Sequence, residues 1–160
     1  MAQVVEAWLA TLEASALSRE VRQSVWLYPA ANVGHIIGLM LFFASVAAMD
    51  VKALFGNNTI GELRKFDARV RPFALVALAI QVMTGVLMFL PEATHIAHNL
   101  AFQIKIIAIV LALSNALMFS WFLRPLEKET SIPQGLVIIS ALSLALWIGV
   151  AALGRLIAYA

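Results

Sequence analysis

The stretch Tyr28–Asp50, YPAANVGHIIGLMLFFASVAAMD, decides the fold, because it is long and apolar enough to cross a bilayer and yet carries an imidazole. A lipid-spanning helix needs about 20 mostly apolar residues. Ala31 to Met49 supplies 19, of which only Asn32, His35 and Ser45 are distinctly polar. With a rise of ~1.5 Å per residue, a helix that enters at Tyr28 carries His35 roughly 10 Å into the membrane. An ionisable side chain at that depth faces protein or a cofactor rather than lipid tails, which makes His35 the first candidate for a functional residue.

Three more spans follow. Phe73 to Leu90 is interrupted only by Gln81 and Thr84 and is closed by Pro91; Ala101 to Leu123 and Leu136 to Gly154 are the others. The stretch between the first two, VKALFGNNTIGELRKFDARVRP, reads as a loop with one helical turn around Glu62 to Phe66. The predicted spans are therefore about 28–50, 73–90, 101–123 and 136–154, in a single membrane domain over residues 1–160.

Ahead of them, residues 1–27 lack the positive start and continuous apolar centre of a cleavable signal peptide. Val5, Trp8, Leu9, Leu12 and Ala16 share one face at helical spacing, which predicts a short amphipathic helix. That helix lies either on the membrane surface or on the end of its own bundle, since both need the same stripe. The fold class is all-α: a four-helix transmembrane bundle with a short amphipathic N-terminal helix.

Composition agrees. The chain is 62% hydrophobic and 12% charged, with a mean hydropathy of +0.92, whereas about a quarter of the residues of a soluble protein are charged. Its basic residues sit in loops, with no aromatic-interleaved patch for nucleic acid. The absence of cysteine removes disulfides, thiolate metal sites and iron–sulfur clusters. Of the 11 lysines and arginines, Lys52, Arg64, Lys65, Arg69, Arg71, Arg124 and Lys128 fall in the loops after spans one and three. By the positive-inside tendency those loops are cytoplasmic and both termini are outside.

This topology gathers every histidine at one end. His35 is near the outer start of span one, His95 and His98 lie between spans two and three, Lys105 follows on span three, and Arg155 ends span four. If a helix begins near Pro91, then His95, His98, Phe102 and Lys105 form one stripe. Two imidazoles at matched depth in an apolar bundle suit a b-type haem: His35 supplies one axial nitrogen, and His98 or His95 the other. Lys105 and Arg155 are then in the layer where propionates need cations. Gly34 and Gly38 flank His35 as a G-x-x-x-G, which lets a flat ring or another helix approach the backbone. The job expected of such a protein is electron transfer between a membrane quinone and an outer-face redox partner, as a subunit of a homo- or hetero-oligomer. No catalytic nucleophile, paired carboxylate or phosphate loop points to an independent enzyme.

Two other readings stand beside it. The three histidines could bind copper or zinc directly, as imidazole suits both. Alternatively the chain is a cofactor-free structural subunit, with Gly34, Gly38 and Ser45 as a helix-contact seam and His35 bonded to a neighbouring helix through Gln81 or Asn115.

The motifs WLYPAANVGHIIGL (Trp26 to Leu39) with Asp50, NLAFQIK (Asn99 to Lys105), SNAL (Ser114 to Leu117) and ALWIGVAALGRLIAY (Ala145 to Tyr159) resemble an uncharacterised family of small bacterial four-helix inner-membrane proteins. The resemblance covers nearly the whole chain. It implies a multi-pass protein of the bacterial inner membrane, and its motif positions fall on His35, Lys105 and Arg155. More loosely, the layout is similar to membrane b-type cytochromes and to four-helix copper-resistance membrane domains.

Overall fold

The computed structural model describes residues 2–56, 58–127 and 131–157. Lys128, read as a loop residue, and Tyr159, at the end of the last motif, lie outside them. Two short helices, α1 (Ala2–Glu13) and α2 (Ala16–Gln23), precede the long α3 (Leu27–Phe55) and α4 (Ile60–Phe89). A 3-10 turn at Leu90–Glu92 leads to α5 (Ala93–His98), then α6 (Leu100–Leu123) and α7 (Gln134–Leu156). The four helices α3, α4, α6 and α7 are long and apolar enough to cross a membrane, the architecture of a multi-pass membrane protein.

The 51–72 segment is where the structure departs most from the sequence expectation. It is helical at both ends: α3 runs on to Phe55 and α4 begins at Ile60, so the connection is confined to residues 56–59. A capping box explains the early start of α4. Thr59 Oγ1 accepts from Glu62 N at 3.3 Å and Glu62 Oε2 accepts from Thr59 N at 3.0 Å, which satisfies two end donors at once. Pro72 lies inside α4 and removes one intrahelical hydrogen bond, yet the helix continues through it. The turn before it is tight. Asn58 folds back to donate to Lys52 O at 3.0 Å, and a Cβ on Gly56 would come within 1.5 Å of that amide.

At the other end of the bundle, Asn99 separates α5 from α6. Its backbone is extended, and its side-chain oxygen caps α6 by accepting from Ala101 N and Phe102 N at 2.8 and 3.2 Å. The single stripe from His95 to Lys105 expected of one continuous helix therefore does not form. The C-terminus of α6 is held from another helix: Arg64 donates to the carbonyls of Leu123, Arg124 and Leu126 at 2.6–2.7 Å. An isolated antiparallel bridge, Thr59 with Ser131, ties the two connections of this end together.

In the bundle α3 packs along α4 and α7, and α6 packs along α7. A middle layer of Phe42, Ala77, Ala112, Trp147 and Val150 forms one core, with Phe42 and Trp147 edge to face at 4.5 Å. A second core near the 56–59 and 124–133 connections joins Met49, Ala53, Ile60, Leu63, Phe119, Leu123, Leu136 and Ile139. Outward-facing residues are apolar as well, among them Ile36, Met40, Val76, Met83, Ile107, Val110, Ile138 and Ile148. So wide an apolar exterior fits lipid as the surrounding solvent.

The amphipathic segment closes the end that holds both termini. Leu9 and Val21 are 4% and 1% exposed, and buried Ser18 donates to Leu90 O at 3.2 Å. Arg22 donates to Pro91 O, and Glu13 Oε1 accepts from Thr94 N at 2.7 Å. Of the two placements that the stripe allowed, packing on the bundle's own end is the one observed. Val5 and Trp8, which the stripe also included, are exposed there.

Candidate functional site

His35 sits eight residues into α3, half-buried against α4. Its Nδ1 is 2.9 Å from Thr84 Oγ1, and that hydroxyl is 2.6 Å from Ile80 O. A threonine hydroxyl has one proton to give, and the nearby carbonyl can only accept. Thr84 therefore donates to Ile80 O and accepts from the ring, so the neutral imidazole carries its proton on Nδ1 and its lone pair on Nε2. A neighbouring group that fixes the tautomer in this way is what an imidazole ligand requires. The backbone is held too: Gln81 Nε2 donates to His35 O. Gly85 lies beside the ring, where a Cβ would stand 3.5 Å from His35 Cε1, an ordinary contact distance.

Lys105 belongs to the same layer. Its ammonium is near enough to His35 to act on the ring electrostatically, and its stem runs past α7 where a Cβ on Gly154 would meet Nζ at 3.2 Å. Arg155 is exposed in the last turn of α7, next in sequence to that glycine.

The other candidates stand elsewhere. His98 is exposed on α5; its Nε2 is 2.9 Å from Glu6 Oε1 of α1 and its Nδ1 is 2.7 Å from Thr94 O. Acceptors on both nitrogens occupy the ring and leave no lone pair for a metal. His95 is exposed on the same short helix. The structure thus brings His35 and Lys105 together and does not bring His98 or His95 to them. The break at Asn99 is the physical cause, because it uncouples the azimuth of α5 from that of α6.

Gly34 and Gly38 are also accounted for. A Cβ on Gly34 would stand 3.3 Å from Thr84 Cγ2, and one on Gly38 would stand 2.9 Å from Ile80 Cγ2 and 3.0 Å from Gln81 Nε2. Their notches are filled by α4, so they serve helix contact and leave no room there for a flat ring. Of the two partners considered for His35, Gln81 binds its carbonyl, while Asn115 donates instead to Ile139 O at 3.0 Å.

A haem held by paired imidazoles needs a second nitrogen facing Nε2 of His35. Within this chain the residues fit one half of that requirement: an oriented ligand and a cation in its layer. Direct copper or zinc binding fares worse, because among the described residues no group of three histidine, cysteine or carboxylate side chains lies close enough to hold an ion. The sequence reading missed Thr84 and Gly154 as supports of the site. Thr84 alone carried a signal, as a hydroxyl in the otherwise apolar second span at the depth of His35. Compared with known proteins, the chain matches no family model, no curated protein and no solved structure.

Proposed function

We propose that the chain is a subunit of a bacterial inner-membrane redox assembly in which His35 Nε2 ligates a b-type haem from one side. A second ligand would come from outside this chain, from another subunit or a second copy. Electrons then pass between the quinone pool and a partner at the face that holds both termini. The observation that carries this reading is the lone pair left on Nε2 by the Thr84 hydrogen bond. Lys105 supports it as a cation for a haem propionate. The haem would supply one-electron chemistry; this chain's part is to orient the ligand and exclude water.

The test is the absorption spectrum of the detergent-extracted assembly before and after dithionite. A Soret band and a reduced α-band are expected, both lost in His35→Ala and both kept in His98→Ala and His95→Ala. A colourless extract that contains the intact assembly refutes the reading. A second reading has its own support in the filling of Gly34 and Gly38 by Thr84 and Ile80: a cofactor-free subunit in which His35 only joins α3 to α4. It predicts a colourless protein whose His35→Ala variant assembles normally.

A further inference from the structure

A carboxylate lies inside the bundle at the opposite end from His35. Asp50 of α3 is 4% exposed, six residues before Gly56 ends the helix. Across the α3–α7 contact, the hydroxyls of Ser143 and Ser140 face its carboxyl, and they are 5% and 0% exposed. Asp50 Oδ2 and Ser140 Oγ nevertheless close no hydrogen bond. Asn115 of α6 braces the same turn of α7 by donating to Ile139 O at 3.0 Å. Three helices thus contribute to a small buried polar cluster between the Phe42–Trp147 layer and the apolar core of the connecting end.

Burying a carboxylate with no compensating charge is expensive, and unpaired polar atoms in such a place need a reason. Three cations of this end, Lys52, Arg64 and Arg71, are engaged with other groups. Lys52 donates to Asn58 Oδ1 at 2.9 Å and lies over the Phe66 ring at 5.3 Å. Arg64 is committed to the carbonyls that end α6, and Arg71 is paired with Asp67 and donates to Ser120 Oγ at 3.1 Å. Of the acidic residues of α4 at this end, Asp67 is paired with Arg71 and Glu62 is taken up by the Thr59 cap.

We propose that Asp50, Ser140 and Ser143 form a binding site for a single monovalent cation, taken up as one proton or one sodium ion. One carboxylate calls for one positive charge. Hydroxyl and carboxylate oxygens are hard donors suited to sodium, and a protonated carboxyl can donate its O–H to the Ser140 hydroxyl, whose oxygen accepts. Exchange at this site consists only of binding and release: Asp50 gains a proton or an ion and later gives it up. Intramembrane carboxylates in such surroundings commonly serve ion or proton pathways. The site is independent of His35, which lies about 22 Å away along α3 at ~1.5 Å per residue.

Infrared difference spectroscopy of the full-length protein in detergent reads the Asp50 carboxyl directly. In the proton case, the protonated-carboxyl band appears and disappears as the pH is stepped between about 4 and 9, and exchanging choline for sodium leaves it unchanged. In the sodium case, adding sodium at fixed pH removes the protonated band or shifts the carboxylate band. Either response must vanish in Asp50→Asn. A band that responds to neither change, or a response that survives in Asp50→Asn, overturns the proposal and leaves Asp50 a static link between α3 and α7. If Asp50→Asn does not fold, Ser140→Ala and Ser143→Ala decide the matter. Each is expected to shift the half-saturation point by about tenfold through the loss of a hydrogen bond to a charged group, and unshifted midpoints in both would refute the site.

Discussion

Replacing Gly38 by alanine tests the close α3–α4 contact on which the orientation of His35 rests. A Cβ at this position would lie 2.9 Å from Ile80 Cγ2, 3.4 Å from Ile80 Cβ and 3.0 Å from Gln81 Nε2. Carbon atoms in good contact stand about 3.5–4.0 Å apart, so the added methyl intrudes by several tenths of an ångström. Gln81 is not free to retreat, because its amide donates to His35 O. Overpacking of this kind costs about 1–3 kcal/mol. Alanine also favours a helix over glycine by roughly 1 kcal/mol, which partly hides that cost. Gly149 removes the ambiguity, since nothing lies within 4 Å of its would-be Cβ. The propensity gain is common to both substitutions, so the difference between Gly38→Ala and Gly149→Ala isolates the steric cost of about 1–3 kcal/mol. Unfolding of the purified protein by sodium dodecyl sulfate in mixed micelles, followed by circular dichroism, measures that difference. Finding Gly38→Ala as stable as Gly149→Ala would show that the notch is open and would remove the argument that α4 fills it.

Two other outcomes follow from the geometry. Thr84→Val takes away the acceptor for His35 Nδ1 while keeping the side-chain shape, and the fixed Nδ1–H tautomer should give way to a mixture in nitrogen-15 spectra of labelled histidine; a spectrum unchanged from wild type would break the tautomer argument. Arg64→Ala strips the donor from three carbonyls at and just after the end of α6 and should destabilise the protein by about 1–3 kcal/mol in thermal unfolding, the lower figure reflecting partial exposure; because all three bonds come from the one nitrogen Nη2, Arg64→Lys, whose ammonium is also a single donor nitrogen, should restore much of the loss, and no rescue at all would contradict that account.

The four crossing helices were legible because runs such as Ala31 to Met49 and Phe73 to Leu90 exceed what any soluble core needs. Their ends were less so. The charged residues from Glu62 to Arg71 mask a helix that is amphipathic rather than apolar, and only the Thr59–Glu62 cap announces it. His35 was legible for a one-dimensional reason, its depth along a helix. Its partners were not, because which residues face each other depends on azimuth, and Asn99 resets azimuth between α5 and α6. The apolar run alone places Asp50 at the close of the first span; α3 extends to Phe55, so the residue falls within the helix.

The contacts that hold α1 and α2 have an order in time. Ser18, Arg22 and Glu13 bind partners 72, 69 and 81 positions further along the chain. During synthesis this plug therefore leaves the ribosome long before its seat exists. It can settle only after α4 has been threaded across the bilayer and the turn that follows it has emerged, so seating reports that the first two crossings are in place. Protease resistance of α1 and α2 would then distinguish chains that have passed this point from chains halted before α4 has crossed.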